Sequence, residues 1–187
     1  HRDALLRFGY SPNALYWSNR KNQELRFQIL LEIGIPSGAS VLDVGCGFGD
    51  FYDYMQHQGI ETDYTGIDLS AELIENGREL NPTANYFCGD LFDFKPAPQS
   101  YDYVVLSGAL NEAMNDDGDY AKRVIETMYQ SCRKGLAFNL LNASNKNVAS
   151  CNDLQSFIPK EMLSFCQQLS NHCQLRDGDI CNDYTIF

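Results

Sequence analysis

No apolar run in the 187 residues approaches the roughly 20 needed to cross a bilayer, and the first residues do not read as a signal peptide. Positive charge is scarce: 14 Lys and Arg stand against 25 Asp and Glu, a formal net charge of -11. The resulting field repels phosphate backbones and anionic lipid surfaces. The basic residues are also scattered, with no stripe of the kind a nucleic-acid reader presents. Neither nucleic acid nor membrane is therefore an expected partner. No C-x-x-C pair occurs among the seven cysteines, Cys46, Cys88, Cys132, Cys151, Cys166, Cys173 and Cys181. An odd number without such pairs suits a reducing compartment better than a disulfide framework, and the expected localisation is cytoplasmic. The spacing of Cys166, His172, Cys173 and Cys181 matches no metal site whose paired ligands come from one tight turn. Buried thiols are the plainer reading, and no metal is expected.

What is present is the composition of an ordinary folded domain, 44% hydrophobic and 21% charged, in a chain long enough to bury a substantial core. Leu25, Ile29, Leu30 and Ile33 fall at helical spacing within residues 20–34, which ends at Gly34. A β-rich run, Ser40-Val41-Leu42-Asp43-Val44, then leads into glycines. Further strands are predicted over 63–67, 84–88, 102–106, 135–141, 173–177 and 183–187, with helices over 50–58, 70–80, 118–132 and 159–170. Strands interleaved with helices predict a doubly wound α/β fold, a mostly parallel seven-stranded sheet with helices on both faces. Residues 178–182 are too few for a crossover helix, so the last two strands should form an antiparallel hairpin. The expected organisation is an N-terminal helical extension over 1–37 and one globular unit over 38–187. Residues 142–158, rich in Asn and Ser, read as an active-site loop.

The strongest motif is Val41-Leu42-Asp43-Val44-Gly45-Cys46-Gly47-Phe48-Gly49-Asp50-Phe51, a strand, a three-glycine turn and a helix start. Glycines belong where a turn is tight and a ligand lies against bare backbone. A dinucleotide-binding turn reads G-x-G-x-x-G, but the position three after Gly47 is Asp50. An acid at that helix start repels a pyrophosphate and tolerates a ligand carrying an ammonium and a sulfonium. Asp68 follows the second strand and is suited to accept both hydroxyls of a ribose, so with the glycine turn it places an adenosine. Asp90 follows the third strand. It is either an acceptor for an adenine amino group, with Leu91 and Phe92 covering the ring, or a helix cap.

The series D-x-G-x-G-x-G after the first strand, an acid after the second and Gly89-Asp90 after the third resembles the class I, S-adenosylmethionine-dependent methyltransferase family. The resemblance runs from about residue 38 to the end of the chain and implies a Rossmann-like fold. The most similar members are small bacterial methyltransferase-domain proteins with a short N-terminal helical extension. It implies that Gly45, Cys46 and Gly47 lie against the methionine part of S-adenosyl-L-methionine and Asp43 near its amino group. Asp68, with Leu69 beside it, would hold the ribose, Gly89, Asp90 and Leu91 would meet the adenine, and Ser107 would line the pocket. Gly49 and Phe51 read as packing residues. Arg26 is a candidate partner for the cofactor's carboxylate or an ordinary surface arginine.

Methyl transfer asks mainly for alignment, with a base only where the nucleophile must lose a proton. Candidates beyond the fourth and fifth strands are Asn111, Glu112, Asn142, Ser144 and Asn145, although no catalytic residue is assigned and Glu112 also reads as a solvated loop acid. The aromatic segment Phe8–Trp17 is either a lid or an anchor for the extension. No N-P-P-Y sequence follows the fourth strand and no Pro-Cys pair is present, which demotes adenine, glutamine and cytosine-ring acceptors. The expected activity is methyl transfer to a small molecule by a monomer or homodimer. A protein methyltransferase and a non-catalytic cofactor-binding module are the alternatives, and a nicotinamide-dependent oxidoreductase is disfavoured by Asp50.

Overall fold

The computed structural model describes residues 20–180 and 182–187. The elements run α1 (Arg20–Leu31), β1 (Ser40–Val44), α2 (Asp50–His57), β2 (Asp63–Asp68), α3 (Ala71–Leu80), β3 (Asn85–Cys88), α4 (Leu91–Phe94), β4 (Tyr101–Ser107), α5 (Asp119–Ser131), β5 (Cys132–Leu141), α6 (Lys146–Ala149), α7 (Pro159–Leu169), β6 (Leu175–Ile180) and β7 (Asp183–Ile186). Among the described residues seven strands form one sheet in the order β3-β2-β1-β4-β5-β7-β6. The four pairs along β3-β2-β1-β4-β5 are parallel, whereas β7 pairs antiparallel with both β5 and β6. The chain winds outward from β1 to β3 and then restarts at β4 on the other side. That reversal opens a crevice beyond the carboxyl ends of β1 and β4, where ligands of open α/β sheets bind.

Strand side chains alternate between the two faces, and both faces are apolar because both are covered. Val41, Val105 and Ala137 face Phe27 and Leu30 of α1, Phe51 and Met55 of α2 and Ile74 of α3. Leu42, Val44, Val104, Leu106, Phe138 and Leu140 face Val124 and Met128 of α5 and Met162 and Cys166 of α7. The α5 face is closed by the period of Ala121, Val124, Ile125 and Met128, all buried on one stripe.

The hairpin formed by β6 and β7 follows the sequence expectation, although β6 begins at Leu175, two residues later than expected, and reaches Ile180. The one-turn helices α4 and α6 were not anticipated, because four residues hold too little periodicity to register. The segment 142–158 is accordingly not a bare loop: α6 interrupts it, and Asn142 and Phe157 pair as an isolated bridge. The aromatic stretch Phe8–Trp17 and Cys181 lie outside the described residues. No helix among the described residues is long and apolar enough to cross a membrane.

Candidate functional site

The glycine turn fills the crevice floor between β1 and α2. Gly45, Gly47 and Gly49 have φ of 73°, 58° and 86°, in the left-handed region that side-chain-bearing residues avoid. At Gly45 a second constraint applies, since a Cβ built there would lie 2.1 Å from the Cβ of Ala109 in the loop after β4. The N–H groups of the turn are spent inside the protein. Gly45 and Cys46 donate to the Ile67 carbonyl at 2.8 and 3.0 Å, and Gly49 donates to the Cys46 carbonyl at 2.9 Å. Gly47 donates to Asp68 Oδ2 at 3.0 Å. A phosphate-binding turn needs such groups aimed outward. This turn instead offers bare backbone ringed by carboxylates.

Three carboxylates surround it. Asp43, on the same strand face as Val41, is buried and accepts a 2.7 Å hydrogen bond from the Tyr64 hydroxyl. Burial pushes its carboxyl up to about 7, against the Tyr64 bond, with Asp68 and Asp50 adding repulsion. Asp68 is held by N–H groups at both oxygens, from Gly47 and, at 2.9 Å, from Ser70. Burial raises its pKa and these backbone bonds oppose the rise. Asp50 opens α2 and accepts from Gln23 Nε2 at 2.7 Å, and burial raises its pKa too. Gln23 is 1% exposed, and its Oε1 is buried without a hydrogen-bond partner. Three raised carboxyls and an unsatisfied amide oxygen together make an acidic patch around the turn, with the Arg20 charge opposing the rise at Asp50.

The sequence-predicted residues fall around this patch in different roles. Cys46 is buried, its Sγ lying where a Gly66 Cβ would come within 2.6 Å, so only its backbone faces the crevice. Burial, then Asp43 and Asp68, push its thiol well up, and it is no nucleophile. Leu69 is 71% exposed on the rim beside Asp68. Gly89 donates to the Asp68 carbonyl at 2.9 Å, which ties the end of β3 to the site. Asp90 caps α4 through the Asp93 N–H at 2.7 Å. The Leu91 side chain is buried in the main core, and the Phe92 ring packs on Tyr120 and beneath Arg123. Ser107 ends β4, and its Oγ accepts from Asn139 Nδ2 at 3.1 Å.

Arg26 is not a surface residue. It is 8% exposed and its guanidinium forms a buried ion pair with Asp183 at the start of β7. Gln23 and Arg26 thus lie one helical turn apart on α1 and fasten it to α2 and to the C-terminal hairpin. Asn142 and Asn145 have fastening roles as well: they donate to Asp177 at 3.2 Å and Asn182 at 2.8 Å, while Asn142 Oδ1 accepts the Ser144 N–H. Sequence reasoning passed over Gln23, Tyr64 and Asn139, which no local motif marks; the second carries its role only because β1 and β2 are adjacent. A groove of about 430 Å³ lies at the opposite, amino edge of the sheet, lined by Ser40, Asp63, Asn85 and Lys95, away from every one of these groups.

The sequence profile of a methyltransferase domain family matches residues 41–135, from the first site strand into the fifth. The chain belongs to the class I, S-adenosylmethionine-dependent methyltransferases. This methyltransferase is 28% identical over 136 residues to a candidate methyltransferase of Mycobacterium tuberculosis, a match covering 69% of this chain and 79% of that protein. It is 26% identical over 155 residues to the malonyl-[acyl-carrier protein] O-methyltransferase of Pectobacterium atrosepticum, covering 78% of this chain but only 58% of the relative. Its fold is shared with the plantazolicin methyltransferase BpumL, solved with a desmethyl-plantazolicin analogue and S-adenosylhomocysteine. There the TM-score is 0.65 at 15% identity, over 99% of this chain and 87% of that one.

Proposed function

We propose that the crevice binds S-adenosylmethionine and presents its methyl group to a small-molecule acceptor, with residues 1–37 acting as an extension to a single catalytic unit over 38–187. The observation that carries this reading is the inward use of the Gly45, Cys46, Gly47 and Gly49 N–H groups, with Asp43, Asp50 and Asp68 around them. Such a floor suits a cationic amino-acid chain and offers little to a pyrophosphate. When bound, S-adenosylmethionine supplies an electrophilic methyl carbon on a sulfonium. The protein's part is binding and alignment. Gly45, Cys46 and Gly47 leave room along the backbone for the methionine portion, and Gln23 Oε1 with Asp50 accepts from the ammonium. Asp43 acts from beneath the turn as a buried countercharge. Asp68 keeps lone pairs for the ribose hydroxyls, with Leu69 against the sugar, while the backbone at Gly89, Asp90 and Leu91 borders the adenine. Asn139 fixes the Ser107 hydroxyl at the inner wall. That S-adenosylhomocysteine occupies the BpumL structure accords with this assignment.

The test is calorimetric titration with S-adenosylmethionine, S-adenosylhomocysteine and NAD, on the protein and on Asp68→Ala. Binding of the two sulfur nucleosides but not NAD, weakened at least tenfold by Asp68→Ala, is expected. Absence of binding by a folded sample refutes the assignment.

A further inference from the structure

The loops that follow β4 and β5 are joined edge to edge. Glu112 and Leu154 form an antiparallel bridge, and the Gln155 N–H donates to the Asn111 carbonyl at 2.9 Å. The backbone of Asn111 is therefore fixed. Its side-chain Oδ1, by contrast, is buried without any hydrogen-bond partner. Ala109, two residues earlier and so within about 7 Å of chain, is the residue that presses on Gly45. The loop that carries this unsatisfied acceptor therefore leaves the carboxyl end of β4 against the glycine turn, on the side from which a nucleophile must approach. Leaving such an oxygen buried without a donor is costly, and a ligand N–H removes that cost.

The surroundings restrict that donor. Residues 107–118 and 142–158 carry Glu112, Asp116, Asp117 and Asp153 against one base, Lys146. A carboxylate or phosphate acceptor would meet repulsion there. Neither segment contains a histidine, and a solvated carboxylate is a weak base for an alcohol. An amine arriving as its ammonium ion sheds one proton to solvent without a positioned base, and its nitrogen lone pair is then free to attack. Met114, Leu154 and Ile158 are exposed on the same two joined segments and offer cover to an apolar body.

We propose that the acceptor is a small amine with an apolar body, methylated on nitrogen, whose N–H is held by Asn111 Oδ1. The nitrogen lone pair forms the new N–C bond as the C–S bond breaks, its electron pair passing to sulfur. The nitrogen then carries the positive charge that the sulfonium loses, and the product leaves as its methylated ammonium ion. Asn111 accepts an N–H before and after transfer, so it acts by positioning and takes no proton itself. This proposal rests on the assignment of the crevice to S-adenosylmethionine.

The experiment titrates protein loaded with S-adenosylhomocysteine with matched pairs, phenethylamine against phenylacetate and hexylamine against hexanoate, using calorimetry. Each amine is expected to bind at least tenfold more tightly than its carboxylate. Asn111→Leu should lower amine affinity at least tenfold and leave S-adenosylhomocysteine affinity unchanged, with a melting temperature equal to or above that of the parent. Asn111→Asp, which keeps an acceptor oxygen, should retain amine binding. Carboxylates binding as well as amines, no amine binding, or amine binding indifferent to Asn111→Leu would each overturn the proposal. Failure of S-adenosylhomocysteine itself to bind would instead strike the cofactor assignment beneath it.

Discussion

At Asp43 the balance of burial against hydrogen bonding decides a protonation state near neutrality. Burial raises the carboxyl to about 7, and the Tyr64 hydroxyl recovers only part of that rise. A cation bound above the turn favours the charged form and lowers the pKa again, so cofactor binding releases a proton wherever Asp43 begins protonated. Affinity for S-adenosylhomocysteine, whose ammonium remains cationic, should therefore fall as pH is lowered from about 8 to 6, approaching tenfold per pH unit for one coupled proton. In Asp43→Asn that pH dependence should flatten, and affinity at pH 8 should drop toward the parent's value at pH 6. Calorimetry at a series of pH values checks both. An unchanged slope in the variant would assign the proton to Asp50 or Asp68, whose carboxyls burial also raises.

At the scale of elements, α1 is the piece that a reader of motifs would leave out of the site. Its apolar residues Phe27 and Leu30 pack on the sheet, while Gln23 reaches α2 and Arg26 reaches β7. The Arg26–Asp183 pair is almost wholly enclosed, so removing one partner strands the other as a buried charge. Arg26→Leu is expected to destabilise the protein by about 3–5 kcal/mol, and the double variant Arg26→Leu/Asp183→Leu to recover most of that loss. Denaturant unfolding measures both. Because α1 also carries Gln23, the single variant should weaken cofactor binding, whereas the double variant should restore it with the helix. A double variant no more stable than Arg26→Leu would overturn the expectation that the single substitution strands a buried charge.

For the whole molecule the charge pattern sets a direction with pH. Asp43, Asp50, Asp68 and Asp183 all have carboxyls raised by burial. The native chain thus holds protons that the unfolded chain has released at the ordinary value of 3.8. The sign follows: stability linked to these groups is complete below that value and is lost as pH rises through each raised carboxyl, at about 7 for Asp43. Asp102 acts oppositely, since the Ser40 N–H, Lys134 and Arg133 hold it down to about 2, but its contribution is already present above the usual carboxylate range. The unliganded protein should therefore melt at a lower temperature at pH 8 than at pH 5.5, and saturating S-adenosylhomocysteine should raise the melting temperature more at pH 8. Scanning calorimetry at the two pH values, with and without ligand, tests this reversal.

What the sequence determined by itself was the class of fold and the location of the crevice floor. Hydrophobic periodicity is local, and so is a glycine turn between a strand and a helix, so β1, α2, the acids ending β2 and β3 and the final hairpin were legible from spacing alone. The packing roles of Gly49 and Phe51 were legible for the same reason: the Tyr86 hydroxyl would lie 2.0 Å from a Gly49 Cβ, and Phe51 is buried. Tertiary structure alone decided which side chains the crevice could use. Leu91 and Arg26 looked available as residues and proved occupied, the one by the core and the other by Asp183. Gln23, Tyr64, Asn139 and the unsatisfied Asn111 oxygen acquired their roles from neighbours 21 to 32 residues away or from the meeting of two loops. Burial and hydrogen-bond satisfaction are properties of the packed chain, and no window of sequence contains the partners that settle them.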